Sequence, residues 1–297
     1  MNTRMQVQLL PDGRRLHLHD GPIDLILEAL GEMREIDTAY RAAVRRFTTV
    51  LDELCSELSF LRCRYDPDGP QPNSAVARRM GAAVAPYATQ TFVTPMAAVA
   101  GSVAEEILEA MTYAADLERA YVNDGGDIAI HLQPGEQFVV GMVERPDRSS
   151  LFGSVTLGAD QPSRGIATSG WRGRSFSLGI ADAVTVLADR AAMADAAATI
   201  IANAVDLPGN PLITRVRARD LAPDSDLGDR LVTQGVGDLA DSDISAALDA
   251  GSAMARSLLS AGLIRAAALC LQQQTRLITP TDTSLEIMSS HGSLVHA

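Results

Sequence analysis

The chain has 297 residues, 46% of them hydrophobic, with 25 basic against 37 acidic side chains and a formal charge of −12. That balance argues against sequence-independent binding to nucleic acid or an anionic membrane, since both need a cationic face, and the apolar content excludes a disordered chain. Lysine is absent, so every basic residue is arginine; Schiff-base chemistry, a pyridoxal lysine, a Walker-A lysine and a lysine general base are excluded with it.

Residues 5–10 and 15–19 alternate around the turn tripeptide Pro11-Asp12-Gly13 and predict a hairpin. His17 and His19 share one face of its second strand, but no cysteine or third histidine lies nearby to complete a metal site. From Pro22, the apolar positions Ile23, Ile26, Leu27 and Leu30 recur at helical spacing and predict a helix. A second helix follows over 37–61, and 66–73 is a loop. Residues 94–113 predict another helix. It opens on the small-residue run Ala97-Ala98-Val99-Ala100-Gly101-Ser102, which suits either tight helix packing or a ligand close to the backbone.

The character then changes. Residues 120–123, 128–132, 137–144, 152–157, 164–168 and 183–187 are short β-branched or alternating runs separated by turn residues. Residues 192–204 read as an alanine-rich helix and 206–243 as mostly loop. A long helical region over 244–276 either completes the core or buries an interface between copies of the chain. The reading is one domain over 1–278 with a partly mobile tail over 279–297. Helices before and after a strand-rich middle predict an α+β fold, with helices packed on an antiparallel sheet; a degenerate duplication of helix plus strands fits the same pattern. The apolar stretch 258–271 contains Arg265 and is shorter than the about 20 residues a membrane span needs. Without an apolar leader, the expected location is cytoplasmic. Cys55, Cys63 and Cys270 form no CxxC pair and are read as small buried apolar residues.

Three segments carry chemistry. Asn123-Asp124-Gly125-Gly126-Asp127 is either a hairpin turn or a glycine turn whose amides meet an anion or nucleotide, with Asp127 accepting from a ribose or base edge. Ile166-Ala167-Thr168-Ser169-Gly170 runs into Trp171-Arg172-Gly173-Arg174-Ser175, where hydroxyls and arginine forks suit phosphate oxygens and the indole can stack on a ring; a solvated turn accounts for the same residues. No base sits beside Ser169 in the sequence, which leaves a serine nucleophile unsupported. In Ala194-Asp195-Ala196-Ala197-Ala198-Thr199, Asp195 and Thr199 project from one helix face and offer hard oxygens to magnesium. The alternative is an exposed aspartate and a threonine bonded to a helix carbonyl. Gly235-Val236-Gly237-Asp238-Leu239-Ala240 fits a dinucleotide fingerprint but follows no convincing strand.

Taken in order, Gly125-Gly126-Asp127, Ala167-Thr168-Ser169-Gly170 and the helix carrying Asp195 and Thr199 resemble the ApbE superfamily, whose best-known members are magnesium-dependent FMN transferases. The likeness covers roughly residues 94–205. Residues 175–186 are similar to the cytoplasmic, uncharacterised ApbE-like branch. The resemblance implies an α+β fold related to the tunnelling fold. It also implies Mg2+ held by Asp195, Thr199 and a carbonyl near Val99 against the pyrophosphate of FAD, with FAD or FMN as the bound flavin. Gly125, Gly126, Asp127, Thr168, Ser169, Gly170 and Ser175 would line the nucleotide. Two departures stand out: Ala100 occupies the place of the transferases' lysine, and Ser175 and Ser177 stand in the region of their histidine. The expectation is a Mg2+-dependent site for a small-molecule flavin nucleotide or another pyrophosphate ligand, in an enzyme of the nucleotidyl- or FMN-transferase type. Its acceptor protein is unidentified, and the two departures leave the reaction itself open. The alternatives are a non-catalytic flavin-binding module, or an enzyme on this scaffold with another small substrate.

Overall fold

The computed structural model describes residues 4–143, 151–280 and 286–287. Strands β1 (Gln6–Leu9) and β2 (Leu16–Asp20) form the expected hairpin, with Gly13 at φ 69° in its turn. The helix expected from Pro22 is not formed. Residues Ile23–Leu30 are strand β3, and burial alternates so that Ile23, Leu25, Leu27 and Ala29 face the core. The segment carries helical and strand periods together, and pairing with β2 on one side and β4 (Arg119–Asp124) on the other selects the strand.

Helices α1 (Met33–Ser56), α2 (Leu58–Leu61), α3 (Ala75–Val84) and α4 (Val99–Ala114) separate β3 from β4, and a short 3-10 turn, Pro95–Ala98, leads into α4. β4 turns into β5 (Asp127–Leu132). After the hairpin β6 (Gln137–Val143) and β7 (Leu151–Gly158), the chain continues through β8 (Gly165–Ser169), β9 (Ala183–Ala188) and α5 (Ala191–Ala204). The stretch read as loop holds β10 (Ile213–Arg217), α6 (Ala218–Leu221) and β11 (Leu231–Val236). The long C-terminal helix is also corrected. α7 (Asp241–Ser260) ends well before Arg276, and β12 (Ala266–Leu271) and β13 (Gln274–Ile278) follow, then β14 (Glu286–Ile287). The run AAALCL in β12 is buried on both faces, which makes it unbroken in apolar content and indistinguishable from helix by periodicity. The expected tail lies largely outside the described residues.

Nine strands form one sheet in the order β1-β2-β3-β4-β5-β8-β9-β12-β13, and every pairing among the described residues is antiparallel. Leaving out β1, the sheet is two copies of one plan. Hairpin β2-β3, helices α1 and α4 and hairpin β4-β5 are matched by hairpin β8-β9, helices α5 and α7 and hairpin β12-β13. The duplication compatible with the sequence is thus present. The GxGxxA run lies at the end of the antiparallel hairpin β10-β11 and has no parallel βαβ unit around it, so a dinucleotide fold is excluded.

The helices cover one sheet face, burying Phe47, Ile107 and Met111 in the first half and Val184, Val186 and Leu269 in the second. The β6-β7 hairpin covers part of the other face, where Ile130, Val155, Leu157, Ile166 and Leu187 form a third cluster. Contrary to expectation, Cys55 and Cys63 are exposed; Cys270 is buried. Among the described residues no helix is long and apolar enough to cross a membrane.

α5 buries seven alanines, Ala191, Ala192, Ala194, Ala196, Ala197, Ala198 and Ala202, which lets it lie close to both sheet and α4. A Cβ on Gly165 would overlap the Ala191 amide, and one on Gly101 of α4 would overlap the Ala191 carbonyl. Both backbones therefore require glycine for contact. Gly101→Ala is expected to cost about 1–3 kcal/mol through overpacking. Urea denaturation reads this, and an unchanged midpoint would mean that the two helices do not touch there.

Candidate functional site

The crossing of α4 and α5 joins two helix N-termini, and neither helix has a capping side chain of its own. Each is capped by the other. Asp195 Oδ2 of α5 accepts from the Gly101 amide at 3.0 Å, and Glu105 Oε1 of α4 accepts from the Ala192 amide at 3.0 Å. Carboxylates at helix N-termini meet unsatisfied amides and the positive end of the dipole. Glu105 is held in turn by Arg79 at 2.9 Å and Arg190 at 3.0 Å.

Asp195, Thr199 and Asn203 are spaced four residues apart and form one stripe along α5. Asn203 Oδ1 accepts from the Leu178 amide at 2.9 Å and ties the stripe to the 177–179 loop. Thr199, between the two engaged ends, is partly exposed and its hydroxyl makes no hydrogen bond among the described residues. Thr38 and Thr112, by contrast, bond the carbonyls of Arg34 and Leu108 one turn back. The hydroxyl at 199 is available to a ligand.

The sheet supplies the opposite wall. Ala120 and Val122 of β4, Ala129 of β5 and Ala167 of β8 pack toward the helices, so alternation puts Asp124, Asp127 and Ser169 on that same face. Asp124 and Asp127 are direct cross-strand partners. Thr168 falls on the other face, and its hydroxyl bonds Thr185 at 2.9 Å; only its amide serves the site, donating to Asp127 Oδ1 at 3.2 Å. Gly125 and Gly126, with φ 64° and 117°, are a two-residue hairpin loop. The Gly126 amide is already taken by Asn123 Oδ1 at 2.8 Å, so the turn does not offer its amides as an open anion cradle.

The loop after Ser169 is anchored at buried Asp182. Its Oδ1 accepts from Arg172 Nε at 2.5 Å and Trp171 Nε1 at 3.2 Å, and its Oδ2 from the Gln272 amide at 2.7 Å. A Cβ on Gly170 would press on the Asp182 carbonyl. The Arg172 guanidinium stacks on Trp171, 4.3 Å from the ring centre, which leaves the indole less free for a ligand ring. Ser175 is exposed.

Three carboxyls therefore crowd one end of the cleft. Burial, then the charge of Asp127, pushes Asp124 up to about 7. Burial raises Asp127 well above the usual range, reinforced by Asp195 and opposed by the Thr168 amide and the Arg174 charge. Asp195 is pushed up to about 7 by burial and by Asp124, against the amides of Gly101 and Ala100. The segment expected to offer a carbonyl near Val99 thus reaches Asp195 with donors. Among the described residues no set of three or more His, Cys, Asp or Glu side chains is arranged to hold a metal ion. His17 instead bonds Asp24 at 2.9 Å on the sheet's opposite face.

A family model described as AbpE bacteria matches residues 7–277. The chain belongs to that family. Among curated relatives, a UPF0280 protein of Methanopyrus kandleri is 38% identical over 128 residues, 43% of this chain and 48% of the relative. One of Methanocella arvoryzae is 32% identical over 180 residues, 57% of this chain and 65% of the relative. The chain spans about half to two thirds of the length of the curated relatives it matches. A crystal structure of the apo form of the Pseudomonas stutzeri flavinyl transferase ApbE aligns over 95% of this chain and 96% of that one, at 10% identity and a TM-score of 0.46.

Sequence reasoning missed several residues of this AbpE-family cleft. Asp124 stood inside a quoted motif, and strand alternation from Val122 would have put it beside Asp127. Glu105, Asp182 and Asn203 act through backbone amides distant in sequence, and no local signal marks them.

Each raised carboxyl binds its proton more tightly in the folded chain than in the unfolded one. The folded state therefore holds more protons between about pH 4 and 7, and stability falls as pH rises through that window. Asp124→Asn is expected to flatten this fall and to exceed wild type at pH 8 by up to ~4 kcal/mol, since each tenfold change in proton affinity is worth about 1.4 kcal/mol. Urea unfolding at pH 5 and 8 measures the difference; an identical pH dependence in the variant would contradict the crowding.

Proposed function

We propose that this chain binds a flavin nucleotide, or another pyrophosphate-bearing ligand, with Mg2+ in the cleft between α5 and the β4-β5 turn, as an enzyme of the FMN-transferase type. The observation that supports this most directly is the approach of Asp195 to Asp127 across that cleft, with Thr199 one turn along the same stripe of α5. Family membership supports a flavin-transferase-like scaffold.

The donor set fits a hard cation. The Asp195 carboxyl and the unbonded Thr199 hydroxyl are oxygen ligands, and the remaining positions suit water and phosphate oxygens. Mutual repulsion among three carboxyls is the condition that a bound cation relieves, so ion binding and proton release are coupled here. When bound, Mg2+ supplies charge neutralisation for a pyrophosphate and its leaving group.

The protein's own contributions follow from the geometry. Gly101 fixes the orientation of Asp195, and the Thr168 amide fixes Asp127 Oδ1. Of the histidines, His17 and His19 lie on the far face beside Asp24 and His131 contacts the Leu117 carbonyl, while His291 and His296 are outside the described residues. Asp127, whose proton affinity burial raises and whose Oδ1 is fixed by the Thr168 amide, is then the group in the cleft suited to take a proton from an acceptor hydroxyl.

Asp195→Asn keeps an oxygen for the Gly101 amide but removes the charge. It is expected to weaken Mg2+-dependent FAD binding at least ~10-fold, the scale of one lost charge-assisted contact. Thr199→Val should weaken it less and leave the melting temperature unchanged. Titration of FAD with and without Mg2+, followed by assay for AMP, checks both points. Unchanged FAD affinity in Asp195→Asn would overturn the proposal. Tight binding with no AMP released would favour the non-catalytic reading.

A further inference from the structure

The two arginines of Trp171-Arg172-Gly173-Arg174 have different fates. Arg172 is consumed by the fold, bonded to Asp182 and stacked on Trp171. Arg174, two residues on, is exposed and makes no hydrogen bond or ion pair among the described residues. It is nevertheless not loose in solvent. Its guanidinium occupies the space that a side chain on Gly125 would fill, since a Cβ there would overlap Arg174 Nη2. Gly125 is thus required twice, by its positive φ and by the arginine lying on it.

We infer that Arg174 is the anion-recognition residue of this cleft, holding a phosphate or pyrophosphate group of the ligand beside the Gly125–Gly126 turn. The inference rests on the cleft being a ligand site, as proposed above, and adds which cation meets the anionic group. The turn's own Gly126 amide is committed to Asn123, and the guanidinium is the charged donor without a partner beside the turn among the described residues. It presents a planar fork of N–H groups matched to phosphate oxygens.

Its position is prepared in advance. The loop that carries it is fixed by Trp171 N–H on the Ala181 carbonyl at 3.0 Å, Gly173 N–H on the Gly170 carbonyl at 3.1 Å, and the contacts to Asp182. Packing on Gly125 restricts the side chain further, so less freedom is lost when an anion binds. Asp124 and Asp127 lie near enough to feel the Arg174 charge without bonding it. The arginine and the hard-oxygen pair Asp195 and Thr199 thus flank the same carboxyl cluster, one suited to phosphate oxygens and the other to a cation.

The test uses the full chain and inorganic pyrophosphate with Mg2+ as the probe in calorimetric titration, with FAD titrated in parallel. Arg174→Ala is expected to weaken pyrophosphate binding at least ~10-fold, as one charge-assisted contact would, with Arg174→Lys intermediate and the melting temperature unchanged. Gly125→Ala, which fills the guanidinium's place with a methyl group, is expected to reproduce the loss. Arg256→Ala removes another exposed arginine, on α7, that is unpaired among the described residues, and should retain wild-type affinity. Equal affinity in Arg174→Ala, or no pyrophosphate binding by the wild type at millimolar concentration, overturns the inference. Arg174-dependent pyrophosphate binding without FAD binding upholds it, and refutes the flavin reading alone.

Discussion

The cleft exists because two helix backbones touch. At the crossing of α4 and α5, Gly101 and Ala191 come too close for a side chain on the glycine, and Gly165 of the sheet is pressed against the same residue. That approach brings two uncapped helix N-termini together, and each takes its carboxylate from the other helix. Glu105 is surrounded by arginines and buried. Asp195 spends one oxygen on α4 and leaves the rest of its coordination to the cleft. The same contact thus holds the core together and aims that carboxylate into the cleft.

From that crossing the electrostatics follow. Alternation along β4 and β5 puts Asp124 and Asp127 on the helix side, where Asp195 already stands, and burial makes their charges costly. A fold does not gain stability from such a group of acids. Their repulsion is strain retained in the cleft, of the kind that protons or a cation relieve. On the far side of the turn, Asp182 performs the opposite task. Fully bonded and buried, it makes the 170–174 loop rigid enough to present Arg174.

Much of this was legible in the sequence, for local reasons. The β1-β2 hairpin, the strands from 120 to 188, the alanine-rich helix and the three ordered motifs all carry their signals within a few residues. The failures were equally physical. Ile23–Leu30 fits both periods, and only its neighbours in the sheet select strand. β12 is apolar throughout because it is paired on both sides and buried on both faces, so it has no period to read. β10 and β11 pair with each other among Pro, Gly and Asp residues that signal turns. Within the site, the pairing of Asp195 with Thr199 was readable from helical spacing, and the Asp127 face from alternation. The Thr168 hydroxyl was misjudged because the motif was read as a unit, whereas a strand sends its consecutive side chains to opposite faces.

The central claim is that Asp127 and Asp195 face one another across a single cleft. A double-mutant cycle with Asp127→Asn and Asp195→Asn, scored as unfolding free energy at pH 8, measures this directly. Strong non-additivity, of about 1 kcal/mol or more, is predicted, because either change alone already removes the repulsion. Additivity within about 0.3–0.5 kcal/mol would place the two carboxyls on separate surfaces and contradict the claim.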